Sequence, residues 1–103
     1  MDKSITSSLV IHPGEMIRDE IDARGITVAQ LAEKMDVPQQ KLDAMLDGKC
    51  PVSADYAMML EAALGIDAGI WLRLQIDYDM QVRKKDNSFL AKLEKIRKMA
   101  AVF

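Results

Sequence analysis

The stretch "VPQQKLDAMLDGK", residues 37 to 49, gathers side chains that bond to base edges and phosphates. Gln39 and Gln40 stand side by side, Lys41 follows, Asp43 comes two residues later and Lys49 lies past a glycine. Glutamine can bond adenine bidentately, aspartate either accepts from cytosine or repels phosphate, and lysine neutralises phosphate. The rest of the chain is poor in reactive groups. His12 is the sole histidine, with Glu15 three residues on, but no second ligand pair accompanies them, so a contact at the start of a helix is favoured over a metal site. Cys50 is the only cysteine, which excludes an internal disulfide or a thiolate-rich zinc site and reads as a plain loop thiol in a reducing cytoplasm. No glycine-rich phosphate loop and no carboxylate pair enforced by spacing is present, so neither an enzyme nor a cofactor or metal is expected.

These residues need a scaffold, and 103 residues supply one domain. Half of them are apolar, with few aromatic residues and eight methionines, a composition that favours an all-α fold. No segment approaches the roughly 18 uncharged residues of a membrane span. Residues 1 to 11 read as a loose arm. Pro13 then opens a helix over about 13 to 24 with Met16, Ile17 and Ile21 inward, stopped by Gly25. Thr27 caps a second helix bearing Val28, Leu31, Ala32 and Met35, and Pro38 opens a third with Leu42, Met45 and Leu46 inward and Gly48 as a left-handed stop. Ser53 caps a fourth helix with Ala57, Leu60 and Leu64 inward, ended by Gly65, and Asp67 caps a fifth that carries Trp71, Leu74 and Tyr78. "RKKDNS", residues 83 to 88, is the one linker-like segment, and beyond it Leu90, Leu93, Ile96 and Met99 form the stripe of an amphipathic sixth helix.

Charge divides the chain. Residues 1 to 82 hold seven Lys/Arg against fourteen Asp/Glu, whereas residues 83 to 103 hold seven against two. A basic tail of this kind binds nucleic acid, binds an acidic partner, or is a solvated helix face. Among the methionines, Met45, Met59 and Met80 are candidates for a partner surface, because thioethers repack around different shapes.

The second and third helices pack as a crossed pair if Ala32 stands at their closest approach and Asp36 takes a left-handed turn, with Val37, Leu42 and Met45 holding the third helix across the second. That spacing is the helix-turn-helix pattern, and it turns Gln39, Gln40, Lys41, Asp43, Ala44 and Asp47 outward.

"HPGEMIRDEIDARGITVAQLAEKMDVPQQKLDAMLDGK" followed by "VSADYAMMLEAALGIDAGIWLRLQIDYDMQ" resembles the HigA family of antitoxins, a branch of the λ-repressor-like (XRE) helix-turn-helix group. The match spans about residues 11 to 82. With the arm over 1 to 11 and the basic helical extension over 83 to 103 read from pattern and charge, it implies a five-helix domain over 12 to 82. It further implies a homodimer that neutralises a small basic RelE-like (HigB) mRNA-cleaving toxin and represses its own operon by binding a two-fold double-stranded DNA operator. Carried over by position, Thr27 faces the phosphate backbone, Gln39, Gln40, Lys41 and Asp43 take base-reading positions, and Lys49 touches phosphate. Trp71, Leu74, Tyr78 and Met80 fall on the helix that closes the core and contributes to pairing or to a partner surface. The chain departs from the family at Val28, where glutamine is common, at Asp36 (glycine), at Pro38 (serine), and at Gln39 and Lys41 (arginine). These changes remove phosphate or base donors, a turn residue and a helix cap. A stand-alone regulator, or an interaction module without DNA binding, are the alternative readings. The tail has three possible roles: covering the toxin's active site, gripping DNA, or folding back on its own domain.

Overall fold

The computed structural model describes residues 11–102, and its regular elements are six α-helices. Apart from Ile11, the expected N-terminal arm lies outside the described residues. The helices are α1 (Pro13–Arg24), α2 (Val28–Met35), α3 (Gln39–Leu46), α4 (Ala54–Leu64), α5 (Ala68–Lys84) and α6 (Asn87–Ala100). α2 and α3 pack as a pair, α1 lies on α3 and α5, and α4 lies on α2 and α5. Ile17, Leu31, Leu42, Met45, Leu60 and Trp71 meet at the centre with no exposed surface.

Local chemistry sets the boundaries. Thr27 and Gln30 form a reciprocal capping box, in which the Gln30 N–H donates to the Thr27 hydroxyl and the Thr27 N–H donates to the Gln30 amide oxygen. Ser53 and Asp67 accept from Tyr56 and Gly69 N–H groups at the starts of α4 and α5. α1, α2 and α3 all end in the same closure: a left-handed residue whose N–H, with that of its successor, bonds back into the last turn. The left-handed positions are Gly25, Asp36 and Gly48. Asp36, at φ 58° and ψ 48°, is the one non-glycine residue with positive φ among those described, and it makes the turn that lets α3 cross α2.

Two close approaches lock α3 in place. A Cβ at Gly14 would collide with the Met45 and Leu46 carbonyl oxygens, the latter only 2.8 Å away, so the first turn of α1 lies backbone to backbone on the last turn of α3. At the other end of α1, the Arg24 guanidinium donates to the Leu64 carbonyl at 2.7 Å, satisfying an acceptor at the C-terminus of α4.

Two expectations need correction. Met45 is fully buried and therefore is a core residue, not part of a partner surface: on an eight-residue helix it falls on the Leu42 stripe facing α1 and α2. The segment 83 to 88 is largely helical, because α5 continues through Lys84 and the break narrows to Lys85 and Asp86. Asp86 makes so short a joint sufficient by accepting from Phe89 N–H at 3.1 Å and pairing with Arg83 at 2.9 Å. Of the three roles open to the tail, folding back on its own domain is met only in part: α6 packs on α5, and no residue of α6 is buried. Trp71 carries a cost that composition hides, since its indole Nε1 is buried without an acceptor among the described residues. An unmet donor costs about 1–3 kcal/mol, which the apolar burial of the ring offsets.

Gly14→Ala tests the backbone approach. In an exposed helix this change gains up to about 1 kcal/mol, whereas here the collision should cost about 1–3 kcal/mol, read as a fall in the denaturant midpoint. Asp36→Gly should raise stability by about 0.5 kcal/mol, strain relief outweighing the added freedom of the unfolded chain, and Asp36→Val should lower it.

Candidate nucleic-acid interface

The expected base- and phosphate-facing residues lie on or beside α2 and α3. Thr27, Gln39, Gln40, Lys41, Asp43 and Lys49 are all exposed, and Ala44 is half-buried beneath them. The two glutamines stand at the start of α3 because Leu42, Met45 and Leu46 take its inner face. Pro38, with φ −63° and ψ 136°, occupies the cap position but offers no side-chain acceptor. The backbone N–H groups of Gln39 and Gln40 therefore have no partner among the described residues. They lie at the positive end of the helix, where an acceptor oxygen of a phosphate fits. With proline at the cap, no side-chain oxygen reaches the first turn of α3.

The acidic residues of α3 are not equivalent. Asp47 pairs with Arg18 of α1 at 3.2 Å, an exposed contact of small energetic weight that still directs its carboxylate toward α1. Arg18 was not anticipated from the sequence, since nothing in local spacing joins residues 29 apart. Lys49 is placed by its own backbone, whose N–H donates to the Ala44 carbonyl at 2.8 Å as the closure of α3. The loop between α3 and α4 hangs on Gln75 of α5. Its buried amide oxygen accepts from Val52 N–H at 2.8 Å while its nitrogen donates to Asp79 at 2.9 Å.

The residues of α5 separate by depth. Trp71 has no exposed surface, so it serves the protomer's own core and offers nothing to a second chain. Leu74 and Tyr78 are half-buried, whereas Met80 is exposed. Met59 is half-buried beside Lys34 and Met35, and Met58, 64% exposed, is the methionine that sequence reasoning missed on this side.

His12 caps α1, its Nδ1 accepting from Gly14 N–H at 2.9 Å. Its ring meets Tyr78 edge-on at 4.8 Å and lies against Gly48, joining α1, the end of α3 and α5. This is the expected contact at a helix start. Burial pushes the imidazole pKa below its ordinary value near 6.5, against the opposing pull of the Asp79 and Glu15 carboxylates. Only the neutral ring accepts from Gly14, and the folded state takes up the proton less readily than the unfolded chain. The stabilisation is thus complete above the unfolded pKa and is lost as the pH falls through it. The thermal midpoint of the parent should drop between about pH 7.5 and about pH 5.5, and that part of the drop should vanish in His12→Asn, which keeps an acceptor but does not titrate.

No family model matches the chain. Among curated proteins, virulence-associated protein A' of Dichelobacter nodosus is 36% identical over 70 residues, covering 67% of this chain and 61% of that protein, so the chain spans less than two thirds of its length. Among solved structures, an addiction module antidote protein of the HigA family from Coxiella burnetii shares 32% identity, with 84% of this chain and 92% of that one covered and a TM-score of 0.75. The Pseudomonas aeruginosa antitoxin HigA, solved with the higBA promoter, shares 28% over 85% and 91% of the two chains at a TM-score of 0.70. Identity of 32% sustained over 92% of an antidote's length, on the same fold, exceeds what a shared helix-turn-helix alone would leave: the chain belongs to the HigA family of antitoxins, within the λ-repressor-like helix-turn-helix group.

Proposed function

We propose that the chain is a dimeric cytoplasmic antitoxin that neutralises a small basic RelE-like toxin and represses the operon encoding both. Family membership supports the antitoxin half. The observation that carries the repressor half is the exposed start of α3, where Gln39 and Gln40 present side-chain amides together with two unpartnered backbone N–H groups. In this reading α3 enters the major groove, with Gln39, Gln40, Lys41 and Asp43 at base edges, while Thr27 and Lys49 border the phosphates on either side. The Pseudomonas aeruginosa relative solved with its promoter supports the same use of this fold.

The electrostatic balance favours recognition over grip. With fourteen acidic residues against seven basic ones in residues 1 to 82, the domain attracts phosphate weakly, and sequence-independent affinity depends on phosphate neutralisation. Two copies on a two-fold site double the few favourable contacts, which makes pairing a condition of tight binding. The same charge, with no arginine on α3, favours a second reading: an interaction module that keeps the fold without binding DNA.

Footprinting on the chain's own promoter separates the two. The repressor should protect two half-sites about one helical turn, roughly 34 Å, apart. Gln39→Ala and Gln40→Ala should each cost about 1–3 kcal/mol on the cognate site and relax preference at one position, whereas Lys49→Ala should weaken all sequences alike and lower the salt slope by about one. No protection by the parent at low salt would leave the interaction module. Co-expression with the product of a neighbouring small basic reading frame should restore growth, and a neighbour harmless on its own would overturn the antitoxin half.

A further inference from the structure

Arg18 departs from the pairing that its own helix offers. Glu15 and Asp22 stand three residues before it and four after it on α1, the spacing at which charges pair along a helix, and Arg24 does pair with Glu20 in that way at 3.2 Å. Arg18 instead reaches off α1, and its Nη2 donates to Asp47 Oδ1 at 3.2 Å. Glu15 and Asp22 make no ion pair among the described residues. Asp47 closes α3 two residues before Lys49, and the seat of Gly14 on the Met45 and Leu46 carbonyls sets α1 beside that end. Arg18, about one turn on from Gly14, is thereby carried to the stretch that holds the exposed Lys49.

The pair with Asp47 is too exposed, with 49% and 51% of the two side chains open to solvent, to contribute much stability. Its geometry matters more. A guanidinium carries five N–H donors in a planar fork. Nη2 serves Asp47, whereas Nε and Nη1 have no partner among the described residues. Such a fork can give one edge to a carboxylate and another to a phosphate oxygen, a division that the compact charge of a lysine does not fix in direction. We propose that Arg18 donates to a backbone phosphate in each half-site of the operator, with Asp47 as the positioning residue that holds its guanidinium against the end of α3. This rests on the DNA-binding reading of the proposed function and adds to it a contact from α1 beside the one from Lys49. It also gives Asp47 a use: a carboxylate that would repel phosphate is turned toward α1 and neutralised there. In a domain with twice as many acidic as basic residues, one further neutralised phosphate per copy is a large share of the electrostatic attraction.

Salt-dependent binding to a duplex carrying the footprinted site of the chain's own promoter tests this with four proteins: the parent, Arg18→Ala, Asp47→Asn and the double variant. Arg18→Ala should bind roughly tenfold more weakly at physiological salt and lower the salt slope by about one per copy. Its thermal midpoint should stay close to the parent's, because the pair it breaks is exposed. Asp47→Asn keeps an oxygen for Arg18 and removes a negative charge, so it should bind at least as tightly as the parent. In that background Arg18→Ala should cost the same slope again. If it costs nothing there, Arg18 only neutralises Asp47 and the proposal is overturned. A neutral methylphosphonate set in turn at each phosphate of a half-site gives the second readout: at one position it should weaken the parent and leave Arg18→Ala unaffected. The absence of any such position overturns the contact as well. The two readings fail distinguishably. A parent that protects its operator while the Arg18 variants bind as their Arg18-bearing counterparts do spares the repressor and removes this contact, whereas a parent that protects no DNA at low salt removes both.

Discussion

The rest of the molecule depends on how closely one backbone can approach another. α1 begins where α3 ends, and only a residue without a side chain fits between them. Because Gly14 lies on the Met45 and Leu46 carbonyls, the last turn of α3 cannot tilt or slide without colliding with α1. His12 reinforces the seat from two residues upstream, capping α1 through Nδ1 while its ring covers Gly48. The exposed start of α3 is therefore aimed from its far end: the fold grips the C-terminus of an eight-residue helix and lets the N-terminus project.

This seat joins two motifs that look independent in the sequence. "HPGE" and "LDGK" are separated by about thirty residues, yet they are the two halves of one contact. The left-handed closures at Gly25, Asp36 and Gly48 serve the same end. Each ends a helix within one or two residues, so α1, α2 and α3 are short and rigidly related, and the crossed pair has no slack in its turn.

What was legible in the sequence was local chemistry. Caps at Thr27, Ser53 and Asp67, stops at Gly25 and Gly65, and the left-handed Asp36 depend on bonds within a few residues, and all stand where the spacing put them. The outward placement of Gln39, Gln40 and Lys41 came from the period of Leu42 and Met45. What was hidden depends on distant neighbours. The Arg18–Asp47 pair and the Gln75 bridge arise from tertiary contacts that no spacing encodes. One signal was available for Gly14: a glycine in the first turn of a helix is costly unless something lies against it. The polar run 83 to 88 misled because lysine and arginine are good helix formers, and a solvated helix end has the composition of a loop.

The joint at Lys85 and Asp86 has a consequence for how such a chain changes over generations. Everything that α6 needs to begin is contained in Arg83, Asp86 and Phe89, and nothing in the packed interior leans on the helix beyond them. Substitutions along the tail beyond Leu93 thus leave the packed core untouched, and only the surfaces the tail touches constrain them. Such a segment is free to change while the scaffold it hangs from stays the same.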